Sequence, residues 1–242
     1  MSNLKSTLLC KTWFGFDLDD TLHEFRKASS QASQSIFEAI HTSEGIQIDV
    51  LRTTYQNLLR TATANAFTDG RTSTEYRRER FTRLLQAHGV DGDITDKVEP
   101  LLNIYISSLR SNIALKPGIM ELFRTLRQLE KKIIIVTEGP ADAQQWTIEE
   151  LGLSSYVDIL VTTNEVGKSK VEGLFDIVLE KYRIDAGDIV YFGDNPVRDI
   201  CAARESGILA ILYDEEIDRV PHNLVDLRID SWKVLRGILY TG

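Results

Sequence analysis

The chain has 242 residues, enough for one large domain or a core with a smaller insert, and its 43% hydrophobic and 26% charged residues describe an ordinary soluble globular protein. A formal net charge of −8 weighs against nucleic acid as a partner, because such proteins usually carry basic patches. No apolar run approaches the length of a membrane-spanning helix, so no membrane partner is expected.

The early "LLC" is too short for a signal-peptide core, and Lys11 follows it at once. Cys10 and Cys201 lie far apart in sequence, show no metal-binding spacing, and suit thiols in a reducing compartment. These features together predict a cytoplasmic location.

In chain order, "TWFGF" (12–16) is short, aromatic and apolar, which predicts a buried strand. From about Arg26 to Arg110 the apolar residues recur at three and four, as in Ile36, Phe37 and Ile40, or Leu101, Leu102 and Tyr105, which predicts amphipathic helices and no buried strand. Turn signals "SEG", "TDG" and "HGVDGD" separate them, and "TSTE" (72–75) reads as a capping box. Strands and helices then alternate. Strands are predicted at "IIIVT" (133–137), "VDILVT" (157–162), "DIVYFGD" (188–194) and "ILAILY" (208–213). Helices are predicted in "PGIMELFRTLRQLEKK", "ADAQQWTIEELGL", "VEGLFDIVLEKY" and "DICAARESG". That alternation predicts an α/β fold with a Rossmann-like parallel sheet covered on both faces, interrupted after its first strand by an all-helical insert.

In such sheets ligands bind beyond the carboxyl ends of the strands. Those ends carry Asp17, Asp19 and Asp20, then Thr137-Glu138-Gly139, then Lys168 and Lys170, then Asp194 with Asp199 after it. Like charges this close repel unless a cation neutralises them. A few hard oxygen ligands suit Mg²⁺, and a lysine and a threonine hydroxyl suit a phosphoryl group.

"FDLDDTL", "VTEG", "GKSK" and "FGDNPVRD", in that order, resemble the four motifs of the haloacid dehalogenase superfamily, and the helical block resembles its cap. The resemblance implies a core of residues 1–21 and 112–242 with a helical cap at 22–111. It implies a Mg²⁺-dependent phosphatase acting on a small soluble phosphorylated metabolite through an aspartyl-phosphate. In that scheme Asp17 is the nucleophile and Asp19 the general acid and base, with its backbone carbonyl on the metal. Thr137, Glu138 and Gly139 line the phosphate, and Lys170 neutralises charge. Asp194 ligates Mg²⁺, and Asp199 belongs to the metal site or orients the lysine. Cap residues Arg71 and Tyr76 are candidates to reach the substrate.

The chain departs from the family pattern in two motifs. Glu138 stands where relatives usually have Asn, and it would disfavour substrates with a second anionic group unless it pairs with Arg198 or a lysine. "KSK" leaves Lys168 as the alternative to Lys170. Taken singly, "DLDDT" is a polar turn, Thr137 a strand residue and each lysine a solvated one. His23, His41, His88 and His222 read as structural or surface residues, Trp146 and Trp232 as packing, and "YRRER" as a solvated helix face. The competing activities are a phosphomutase of the β-phosphoglucomutase type, a 2-haloacid dehalogenase, for which Asp19 would be idle, and a non-catalytic binding protein that keeps the fold.

Overall fold

The aromatic run nucleates the sheet. In β1 (Trp13–Phe16) the side chains alternate, so Phe14 and Phe16 enter the core on one face and Trp13 packs on the other. In the computed structural model, which describes residues 2–62, 67–90, 93–215 and 227–240, five more strands join it. They are β2 (Lys132–Thr137), β3 (Ile159–Thr162), β4 (Ile189–Gly193), β5 (Leu209–Tyr213) and β6 (Arg228–Ile229). All pairings are parallel, in the order β3-β2-β1-β4-β5-β6. Phe16 stands opposite both Ile135 and Phe192, so the order reverses on either side of β1. The carboxyl end of β1 is therefore the switch point at which open α/β sheets bind ligands.

Helices cover both faces. Leu8 of α1 (Ser2–Cys10), Leu122 and Phe123 of α6 (Ile119–Gln128), Ile148 of α7 (Ala141–Glu150) and Trp232 of α11 (Trp232–Leu239) pack with Phe14 and Phe16. After the one-turn α8 (Thr163–Val166), α9 (Leu174–Tyr182) and α10 (Ala202–Glu205) cover the opposite face with Phe175, Val178 and Ala203. Each fully buried side chain of this size contributes about 1.5–3 kcal/mol.

Between β1 and β2 the chain forms α2 (Phe25–Glu44), α3 (Ile48–Ala62), α4 (Ser73–Gln86) and α5 (Ile94–Asn112), and the described residues here include no strand. These helices bury their own core of Ile36, Phe37, Tyr55, Phe81, Leu84 and Tyr105. Thr72 and Glu75 form the expected capping box at the start of α4. Several contacts fasten the insert to the sheet domain, among them these two. The Ser73 amide and hydroxyl donate to the Asp142 carboxylate at 2.9 and 2.8 Å, and Asn164 Nδ2 donates to the carbonyls of Phe67 and Arg71.

The structure differs from the sequence-based expectation in several places. The helix expected through "VEGLFDIVLEKY" opens with a 3-10 turn, Lys170–Glu172, because Gly173 takes a left-handed φ of 92° and breaks it. The helix expected at "DICAARESG" begins as a π turn, Pro196–Cys201. Helix α1 and the two-residue β6 were not expected from the sequence, whereas α11 begins at Trp232, which reads as part of a helical pattern. Among the described residues no helix is long and apolar enough to cross a membrane. Cys10 and Cys201 are free and exposed. His222 and part of the "HGVDGD" turn lie outside the described residues.

Candidate active site

Asp17 follows β1 directly, and its amide donates to the Phe192 carbonyl at 2.8 Å, so the sheet ladder itself holds the residue. Its carboxylate, 6% exposed, meets the Lys170 ammonium at 2.5 Å. Lys170 reaches Asp199 Oδ1 at 2.6 Å on its other side. The 3-10 turn aims Lys170 inward, whereas Lys168 is exposed. One carboxylate oxygen from each of Asp17, Asp194 and Asp199 lies within 4.8 Å of the others, and all three residues are buried. These donors are all oxygen, which fits a hard divalent cation such as Mg²⁺.

Burial dominates the electrostatics. It pushes the Asp17 carboxyl well above its usual range; Lys170 opposes this, while Asp199 and Asp194 add to it. Burial also works to lower the Lys170 ammonium, but Asp17 and Asp199 together hold it well above its usual value. The coherent state is a charged lysine shared by two acids, Asp17 and Asp199.

The π turn explains how Asp199 arrives. Asn195 accepts from the amides of Val197 and Arg198 at 3.0 Å, and the Asn195 amide donates to Asp199 Oδ2 at 2.9 Å. The turn folds Asp199 back beneath Gly193, where a Cβ would fall 2.3 Å from Asp199 Cγ. Gly193→Ala is therefore expected to displace Asp199, cost about 1–3 kcal/mol in chemical denaturation, and lower activity with it. With Lys170 and the Tyr191 hydroxyl (3.3 Å) on Oδ1 and Asn195 on Oδ2, both oxygens of the Asp199 carboxylate are engaged, as suits an anchor for the lysine.

Asp19 stands apart from the three-acid group. Its Oδ1 contacts His23 Nε2 at 2.8 Å, and its Oδ2 accepts from Gln144 Nε2 at 3.3 Å. Thr137 Oγ1 donates to Gln144 Oε1, which turns the amide so that its NH₂ faces Asp19. Gly139 is not on the cavity wall. Its amide donates to Thr163, and a Cβ there would lie 2.5 Å from Gln144 Nε2, so it leaves room for that side chain. His23 is fully buried, and its Nδ1 has no hydrogen-bond partner among the described residues.

Asp17, Asp19, Thr137, Glu138, Lys170, Asp194 and Asp199 all line one cavity of about 600 Å³ between the sheet edge and the insert. Glu138 pairs with Arg198 at 2.5 Å and accepts from the Lys170 amide at 3.0 Å. Its charge is thereby spent, which removes the basis for expecting it to repel a second anion. Arg71 does not line this cavity. It pairs with Asp69 (2.8 Å) and Glu79 (2.5 Å), lies over Tyr76 at 4.3 Å, and borders a neighbouring pocket of about 180 Å³. Tyr76 is there too, bonded to Asp69.

Other residues of the site were given no role from the sequence. Asp20 has a left-handed φ of 60°, which Asp tolerates better than most residues, and accepts from the Arg26 amide. Arg26, in the first turn of α2, donates to Asp194 at 3.1 Å. "YRRER" is not simply a solvated face. Arg77 turns under the Tyr105 ring at 5.2 Å and Arg80 lines the cavity, while Arg78 stays outside with Glu99. Arg77 and Arg80 stand four residues before the apolar Phe81 and Leu84, and that spacing was the available signal.

Fold and site together describe an α/β enzyme with an acid–lysine cluster at the sheet's switch point. The chain belongs to the haloacid dehalogenase-like hydrolases, whose family model matches residues 12–207. It is 26% identical over 208 residues to the ribulose-1,5-bisphosphate 5-phosphatase of Halopiger xanaduensis, covering 84% of this chain and 85% of that one. It is 30% identical over 140 residues to a pyrimidine 5'-nucleotidase of Escherichia coli, covering 55% and 62%. The fold matches the magnesium-bound HAD-hydrolase YfnB of Bacillus subtilis with a TM-score of 0.68 at 23% identity, over 95% of this chain and 98% of that one.

Proposed function

We propose that this hydrolase is a Mg²⁺-dependent phosphomonoesterase acting on a small phosphorylated metabolite through an aspartyl-phosphate on Asp17. The observation that carries the reading is the convergence of Asp17, Lys170, Asp194 and Asp199 in one buried cluster beneath a cavity that also receives Asp19. The relatives named as phosphatases support it. In this reading residues 22–111 form a cap over a core of residues 1–21 and 112–242.

Asp17 attacks phosphorus, and the bond to the leaving oxygen breaks as Asp19 protonates it. Asp19 then takes a proton from the water that hydrolyses the acyl phosphate. His23 and Gln144 fix the Asp19 carboxylate in place for both transfers. Lys170, held by Asp199, offsets the charge of nucleophile and phosphate, and Thr137 with the Glu138 amide lines the phosphoryl oxygens. Asp17, Asp194 and the Asp19 carbonyl would hold Mg²⁺. When bound, the ion supplies positive charge to the transferring phosphoryl group. A dehalogenase would leave Asp19 without a task, although three side chains are spent on orienting it.

The test is hydrolysis of p-nitrophenyl phosphate with Mg²⁺ and after EDTA. EDTA is expected to cut the rate at least ~100-fold and added Mg²⁺ to restore it. Turnover indifferent to EDTA, or none from folded protein with Mg²⁺, overturns the reading.

A further inference from the structure

We infer that the substrate carries a second oxyanion, a carboxylate or another phosphate, and that Arg80 receives it; this rests on the phosphatase reading above. The cavity of about 600 Å³ is far larger than one phosphoryl group needs and falls in the usual range for pockets that enclose whole small molecules. The rest of the substrate must lie along the wall that α2, α3, α4 and α5 build from Ser33, Phe37, Tyr55, Arg80 and Tyr105.

The cations of this cavity differ in one respect. Lys170 is held by Asp17 and Asp199, Arg26 by Asp20 and Asp194, Arg198 by Glu138, and Arg52 by Asp49. Arg80 has no carboxylate within 4.0 Å among the described residues. On the same helix, Arg78 and Arg83 both close ion pairs, with Glu99 and Glu79. What Arg80 does have is a Tyr55 hydroxyl at 3.2 Å from Nη1 and the Tyr55 ring face at 5.6 Å. Its Nε is shielded from solvent and has no hydrogen-bond partner among the described residues.

A guanidinium keeps its charge at any working pH, and its fork of N–H groups matches a planar or tetrahedral oxyanion. Leaving one donor unmatched and the charge uncompensated is costly in the free protein. The arrangement makes sense when a ligand completes it. Tyr55 holds the guanidinium from one side, and the half-buried setting weakens solvent screening of the contact. Glu138, already neutralised by Arg198, does not oppose a second negative charge.

The experiment measures KM, or Ki against p-nitrophenyl phosphate hydrolysis, for two matched pairs. One pair is fructose 1,6-bisphosphate against fructose 6-phosphate, and the other is 6-phosphogluconate against glucose 6-phosphate. The doubly anionic member is expected to bind at least tenfold tighter in one pair, and which pair responds tells phosphate from carboxylate. Arg80→Gln is expected to erase that ratio and Arg80→Lys to keep part of it, with thermal unfolding confirming that each variant folds. Equal binding within both pairs in the unsubstituted protein overturns the inference, whatever the variants do. So does a preference that Arg80→Gln leaves intact. If both pairs fail while p-nitrophenyl phosphate is hydrolysed, the phosphatase reading stands and this inference falls; if the aryl phosphate is not hydrolysed either, both fall.

Discussion

Asp17→Asn is expected to reduce phosphatase activity by roughly 10⁴-fold or more, the scale on which removal of a covalent nucleophile registers. The amide keeps the shape of the carboxylate and cannot attack phosphorus at a useful rate. The variant should still fold. Lys170 retains Asp199 at 2.6 Å, so no buried cation is stranded. Stability should even shift in its favour at neutral pH. A carboxyl whose folded pKa lies above its ordinary 3.8 binds its proton more tightly in the folded than in the unfolded chain. Its contribution to stability therefore falls as pH rises from about 4 toward the raised value. Asp17→Asn does not feel that fall. Urea unfolding in EDTA across that range should show the variant gaining on the parent as pH rises. A variant that loses ground with rising pH would mean that Lys170, not burial, governs Asp17.

Lys170→Met is the second large effect, and it has the opposite sign for stability. Removing the ammonium leaves Asp17 and Asp199 buried with no shared cation, a change expected to cost about 3–5 kcal/mol. Because the folded lysine pKa is raised, its contribution is fully present below its unfolded value of 10.5 and is lost only as pH rises through the folded value. The loss in the variant should shrink toward acid pH, where the carboxylates protonate. Activity should fall at least ~10³-fold, since the positive charge on the transition state goes with it. Lys168→Met, at an exposed position, should stay within about 0.5 kcal/mol of the parent and keep its activity. Equal losses from both substitutions would refute the assignment of Lys170.

The strand ends were legible because their signals are local. An aromatic run meeting Asp17 and "IVYFG" meeting Asp194 each announce a buried strand that ends in a charge. The alternation of strands and helices supplied the sheet, and helical spacing supplied the insert. The remainder depended on direction rather than identity. Nothing in "TDGRTSTEY" says that Arg71 is drawn to Asp69 and Glu79 instead of the cavity. His23 read as a structural or surface residue, and nothing local showed that the turn after Asp17 folds its ring onto Asp19. Gln144 contacts Asp19 across 125 residues, a distance over which no short motif carries information. The π turn was missed because it shares its composition with an ordinary helix start.

The central position of β1 also bears on how the chain acquires its shape. Asp17 and Lys170 are separated by 153 residues, and β1 has to wait for β2 and β4 before it has neighbours on either side. The four-helix insert, whose own helices supply its core, has no such wait. On a ribosome it can become compact while the strand that precedes it is still unpaired. The repulsion among the acids then arises only when the last strands dock, together with the lysine that relieves it. On that order the acid cluster is completed late, and a substitution there should weaken the native state without slowing the first stages of its formation.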